Sequence, residues 1–268
     1  MTVQMLWRPA LMALLALTLQ LAGCGSTPKD EGAATTAERL YKEALEDMES
    51  GSYERAIKSF ERVEGLAAGS LLAQQALLNA AYLSWRSGEK AQALAAVERF
   101  IKLNPSSPAL DYALYLRGII NFNDNLGLLG SLAGQDLAER DQRASRDAFQ
   151  AFKQLVDQFP ASGYAADARL RMGHIVNTLA SYEVHVARYY LRRGAYVAAA
   201  NRAQGALSEF PQTAAAEEAL TILVQSYAKL ELTALRDDAE RVLRLNYPNS
   251  VFLNDGKVAG SKPWWKLW

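Results

Sequence analysis

A chain of 268 residues, 50% hydrophobic and 22% charged, carries enough apolar material for a buried core and lies outside the composition range of disorder. Its 29 Lys and Arg balance 29 Asp and Glu, so no basic excess is available to hold nucleic acid, and none is expected as a partner. The single Cys and two His exclude an internal disulfide and a Cys/His-rich zinc site. At the start, Arg8 precedes the apolar stretch Ala10–Leu21, about a dozen residues where a bilayer-spanning helix needs roughly 20. A positive residue before a short apolar run is the build of a secretory signal peptide, here residues 1–23.

The next residues, Leu21-Ala22-Gly23-Cys24, look like a bacterial lipobox: small residues thread a peptidase and Cys24 supplies the thiol for lipid attachment. The other reading is an ordinary signal-peptidase site with a Cys by coincidence. Two or more acyl chains on Cys24 would anchor the protein at a membrane surface without spanning it. Gly25 stands where lipoproteins of the inner membrane tend to carry Asp, so the outer membrane is the expected address. Residues 24–36, rich in Gly, Ser, Thr and Ala, read as the acylated Cys and a flexible tether.

From Ala37 the chain repeats. Gly51, Tyr53, Ala56, Phe60 and Val63 form a first register, and Gly88, Ala93, Val97, Phe100 and Pro105 repeat it 37 residues on. Leu77, Ala81 and Ser84 are matched, again 37 residues on, by Leu114, Gly118 and Asn121, and that unit is completed by Ala148, Phe152, Leu155 and Pro160. Gly194, Tyr196, Ala199, Ala203, Ala206 and Pro211 make another copy, and Leu220, Leu223, Val224, Tyr227, Leu243 and Pro248 the last. The pattern resembles tetratricopeptide repeats, helix pairs of about 34 residues. Small residues allow close helix crossing, large apolar ones fill the seam to the next pair, and Pro ends the second helix. The expected fold is all-α, an α-solenoid of about five such pairs.

Two insertions interrupt the register. Asn123–Arg140, with Gly127, Gly130 and Gly134, is expected as a mobile loop. Ala161–Leu179 is helical in pattern and is expected to fuse with Ser181–Arg193 into one rod. Residues 251–268 lose the period and end in Lys262-Pro263-Trp264-Trp265-Lys266-Leu267-Trp268, whose tryptophans would cost solubility unless they dock on something.

Catalytic patterns are missing: there is no Gly-rich phosphate loop, no G-x-S-x-G and no H-E-x-x-H. His174 and His185, 11 residues apart, would sit about 16 Å apart on a helix, too far to share a metal. Glu217/Glu218 and Asp237/Asp238 are sequence neighbours that point apart on a helix and read as solvated. No enzyme, cofactor or metal is expected. Recognition is offered instead by Arg188, Arg192, Arg193, Tyr196 and Arg202, because Tyr and Arg are enriched in binding hot spots. Tyr190 and Tyr196 also fit core positions of the repeat. A second patch holds Asp136, Arg140, Asp141 and Arg143, where opposite charges three or four apart serve either helix support or contact with a partner or substrate.

Three segments together resemble the BamD family, lipoproteins of the Gram-negative β-barrel assembly machinery. They are the lipobox, the run Arg146-Asp147-Ala148-Phe149-Gln150-Ala151-Phe152-Lys153-Gln154-Leu155-Val156 ending at Phe159-Pro160, and Val186-Ala187-Arg188-Tyr189-Tyr190 with Arg193-Gly194-Ala195-Tyr196-Val197-Ala198-Ala199 and Asn201-Arg202. The resemblance covers essentially Cys24–Ser250. It departs at Ala68, where the repeat wants Pro, and leaves the Trp-rich tail unplaced. It implies a periplasmic scaffold anchored at the outer membrane through Cys24. Residues 37–160 would receive unfolded outer-membrane proteins, and residues 161–250 would dock the barrel subunit (BamA-like) and companion lipoproteins. The array alone is equally compatible with a repeat lipoprotein of pilus assembly or of peptidoglycan and septation coordination.

Overall fold

The computed structural model describes residues 31–122, 142–250 and 252–253. Cys24, the signal segment, the insertion at Asn123–Arg140 and the tryptophan-rich tail lie outside the described residues. Those that are described form ten α-helices and no strand, in two compact units, one ending at Ser87 and the other starting at Gly88.

The first unit contains α1 (Glu31–Glu49), α2 (Tyr53–Leu66) and α3 (Leu71–Arg86). Helix α1 takes in Glu31–Thr36, the end of the expected tether, and the hydroxyls of Thr35 and Thr36 donate back to the Gly32 carbonyl. Small residues let the helices meet closely: Ala37 and Ala44 of α1, Ala56 of α2, and Ala76 and Ala80 of α3 surround Phe60, Val63 and Leu83. Tyr41 packs edge-on to Phe60 at 5.4 Å, and its hydroxyl accepts from the Asn79 amide at 3.1 Å, so its polar end is satisfied.

In the second unit, α4 (Lys90–Leu103), α5 (Leu110–Asn121), α6 (Gln142–Gln158), α7 (Ala165–Arg192), α8 (Tyr196–Glu209), α9 (Ala215–Lys229) and α10 (Thr233–Asn246) pack each on the next. The exception to strict succession is α7, which also touches α9. This helix is the expected rod, 28 residues and therefore about 42 Å long. Tyr115 and Arg171 both donate to Asp167 Oδ2, at 2.7 and 2.5 Å, and Ser162 donates to Asp111 at 2.7 Å. The Tyr115 and Ser162 bonds tie α5 to the start of α7 and the turn before it, while the Arg171 guanidinium lies 5.0 Å from the Phe122 ring centre.

Two backbone devices recur. Gly51, Gly88 and Gly194 have φ of 77°, 86° and 76°, a region in which a side chain is disfavoured. At Gly194 the Ala195 N–H reaches the Tyr190 carbonyl and the Gly194 N–H reaches that of Leu191, which satisfies the carbonyls left open at the end of α7. The same bonds close α9 through Leu232 to Tyr227 and Glu231 to Ala228, but there the left-handed residue is Glu231, φ 60°. It lies one 37-residue step beyond Gly194. The second device is proline: α4, α6, α8 and α10 stop two residues before Pro105, Pro160, Pro211 and Pro248. A residue before proline avoids the helical region, and Asn104, Phe210 and Tyr247 accordingly sit near φ −130° with ψ of 56°, 54° and 64°.

At one crossing no side chain fits. A Cβ on Gly118 of α5 would lie 2.3 Å from the Phe152 ring of α6, which is fully buried. Gly118→Ala should therefore lose about 1–3 kcal/mol despite a gain of about 1 kcal/mol in helix propensity, measured as a lower urea midpoint. A midpoint at or above the parent's would show that Phe152 moves aside freely. Conversely, Glu231→Gly should stabilise by roughly 0.5–1 kcal/mol by relieving the left-handed strain, and a lower midpoint would deny that strain.

Candidate partner-binding surface

The end of α7, the turn at Gly194 and the start of α8 carry most of the residues singled out for recognition. The turn reverses the chain so that α8 runs back along α7. Arg202 Nη1 thereby meets Glu183 Oε2 at 3.0 Å. The hydrogen bond from Arg202 to Glu183, helped by the carboxylate's charge, holds the Arg202 guanidinium above its ordinary pKa. Tyr190 and Tyr182 stand near the same guanidinium. Tyr190 packs against the core formed by Val184, Ala187, Ala199 and Ala203, in keeping with its repeat position, and meets Tyr189 edge-on at 5.8 Å. Arg193 lies 5.4 Å from the centre of the Tyr189 ring. Glu183 with Arg202, and Tyr190 with Tyr189 and Arg193, thus make two short runs of contacts across the α7–α8 hairpin.

Arg188 takes a different direction. Its Nε and Nη2 grip the two carboxylate oxygens of Glu218 at 2.6 and 2.7 Å, joining α7 to α9 past the intervening helix. Both side chains are mostly covered, at 30% and 21% exposure. Two parallel charge-assisted bonds in a half-buried setting make a brace, and Glu218 departs from the solvated reading of its sequence. Arg192 is exposed in the last turn of α7, where a cation meets the negative end of the helix. Tyr196 opens α8 half-buried, with its hydroxyl 3.9 Å from where a Cβ on Gly194 would be.

Sequence reasoning underrates two positions. Tyr189 is 44% exposed and Val197 60%, so exposed apolar surface of the kind that binding hot spots use accompanies the basic residues on both sides of the turn. Helical phase carries a signal for Tyr189, because it is one position out of step with Tyr190 on the core side. In the second patch, Asp136, Arg140 and Asp141 lie outside the described residues, and Arg143 is exposed near the start of α6. Its neighbour Arg146 reaches Glu209 of α8 at 3.2 Å. Among the described residues no cluster of His, Cys, Asp and Glu is placed to hold a metal, and no helix is long and apolar enough to cross a membrane.

Residues 33–243 match the family model YfiO, described as an outer membrane lipoprotein. The outer membrane protein assembly factor BamD of Neisseria meningitidis serogroup B is 43% identical over 263 residues, 96% of this chain and 98% of its own length. The proteins of the same name from Vibrio cholerae and Haemophilus influenzae are 35% and 34% identical, covering 88% of this chain and 97% and 89% of theirs. A crystal structure of MamA protein covers 81% of this chain at 15% identity and a TM-score of 0.38, a likeness too slight to argue from.

The two arginine pairs should separate in a double-mutant cycle. Arg188→Ala is expected to lower stability by about 1–3 kcal/mol, with most of the loss shared by Glu218→Ala, because each leaves a half-buried charge without its partner. The Arg202–Glu183 pair, held by one hydrogen bond with Arg202 46% exposed, should contribute less, about 1 kcal/mol. An unchanged urea midpoint for Arg188→Ala would return that residue to the recognition surface.

Proposed function

The chain belongs to the YfiO family of outer membrane lipoproteins, and from that membership we propose that it works as an outer membrane protein assembly factor. The observation that carries this is near-complete alignment with the Neisseria meningitidis assembly factor at 43% identity, which leaves no large segment of either chain unmatched. Cys24 is the site of acylation and holds the protein at the periplasmic face of the outer membrane, where the helix pairs form a scaffold. Its work is recognition without bond chemistry.

Labour is divided along the chain. Residues 37–160 receive extended segments of unfolded β-barrel proteins, and residues 161–250 dock the resident barrel subunit and companion lipoproteins. The α7–α8 turn supports the second role: exposed Tyr189 and Val197 supply apolar surface, and Arg192 and Arg193 at the turn, with Arg202 farther along α8, supply positive charge for an acidic partner. Arg188 supports that surface from behind through Glu218. Tyr196 shapes the turn beneath it. Arg143, with Asp136, Arg140 and Asp141, belongs to the substrate-receiving part.

Depletion of the protein should lower many outer-membrane barrels together. Loss of pili or a septation defect with barrel levels intact would replace the proposal with a role in pilus assembly or peptidoglycan coordination. In the undepleted cell, Arg193→Glu with Arg202→Glu should cut co-purification of the barrel subunit by about tenfold or more, since reversing charges at a complementary interface costs several kcal/mol. Thermal stability should fall only modestly, through the Arg202 change that sets a carboxylate against Glu183, and hardly at all for Arg193→Glu alone. If the reversal unfolds the protein instead, these arginines are structural.

A further inference from the structure

Helix α10 buries Ala239 and Leu243 against the unit. At 100° per residue, Leu235, Val242 and Leu245 fall in a stripe about 80° wide beside that buried line. Leu235 is 48% exposed and Leu245 77%, with Val242 half-buried between them, and Leu232, which caps the helix, is 44% exposed. Leu232, Leu235 and Leu245 are three of the ten exposed large apolar residues among those described, so one short helix holds a disproportionate share. Every other helix of the second unit from α5 to α9 has a neighbour on each side; among the described residues no further helix packs on α10's outer side. End repeats of such arrays need a cover or a polar outer face, and this face is neither covered nor polar throughout.

We infer that the segment Ser261–Trp268 of the same chain folds back onto this stripe and covers it, as the next helix of the array would. The path is short. Ser250 is buried and Phe252 and Leu253 are half-buried, so the chain leaves α10 still lying against the unit. From Leu253 to Trp264 there are 11 residues, which span up to about 36 Å when extended. Helix α10, at 14 residues, is about 21 Å long, so the tryptophans reach every point on it. The chemistry matches as well. Trp264, Trp265, Leu267 and Trp268 supply apolar side chains to set against the stripe. Beside the stripe runs an open groove lined by Asp237, Glu240, Arg241, Arg244 and Leu245. Arg241 and Arg244 are edge-paired with Asp238 and Glu240, which leaves their flat faces open for an indole to stack on. Lys262 and Lys266, on either side of Trp264 and Trp265, would share the carboxylates of Asp237, Asp238 and Glu240 with Arg236, Arg241 and Arg244 of the same helix.

The test places a photo-crosslinking amino acid at Trp265 of the full-length protein in living cells and maps the product by mass spectrometry. The expected result is an intramolecular crosslink to the peptide Leu232–Leu245 at monomer mobility. Leu235→Glu with Leu245→Glu, at positions already exposed, should reduce that product by about tenfold while helicity is kept. Four results would overturn the inference: a crosslink to lipid, which would make the segment a membrane-surface element; a crosslink between two copies; a crosslink to another protein; or an intramolecular crosslink that the double Glu variant leaves unchanged. The parent measurement stands even if the double variant fails to fold.

Discussion

A helix whose apolar stripe has no sheet to rest on must hide that stripe against other helices, and here the covering helix is almost always the next one in the chain. That constraint accounts for the residues at the crossings. Ala56, Ala93, Ala148, Ala199 and Ala239 are all buried, and Phe60, Phe100 and Phe152 are fully so, because close approach needs a small residue and the gap left beside it needs a large one. Gly118 is the limiting case, where the approach leaves no room even for a methyl group.

The same constraint explains why turns and stops recur where they do. If each helix must lie on its predecessor, the chain has to reverse within a few residues. Within the two units a left-handed residue achieves this at Gly51, Gly194 and Glu231, and a proline ends the returning helix two residues on at four places. Where α2 ends, Ala68 stands in the proline position. Ala67 there takes φ −111° with ψ 29°, nearer the helical region than the caps that precede a proline.

Much of this is legible in the chain, since period, small residues, glycines and prolines are local signals, and the 28-residue rod is implied by unbroken helical phase after Ala161. Pairings across distance are not. Glu218 reads as solvated because nothing within a few residues of it is basic, yet Arg188, 30 positions earlier, claims both its oxygens once α7 and α9 touch. Glu183 is silent in the sequence for the same reason, until the reversal at Gly194 brings Arg202 beside it. Glu231 escapes notice because a turn position without glycine carries no compositional flag. Local signals therefore locate the candidate surface along the chain, while its internal division into a brace and a rim needs three dimensions.

The brace between Arg188 and Glu218 has a mechanical corollary. It triangulates α7, α8 and α9, since α8 packs on both of the others while the ion pair ties those two directly. A triangle of rods resists shear in a way that a simple stack does not. Helix α7 extends from that triangle as a beam of about 42 Å whose far end is pinned to α5 through Asp167. A push on the Gly194 turn therefore meets a helix already packed on α6, α8 and α9, and the guanidinium fork adds a direct tie between α7 and α9 to the resistance that packing supplies.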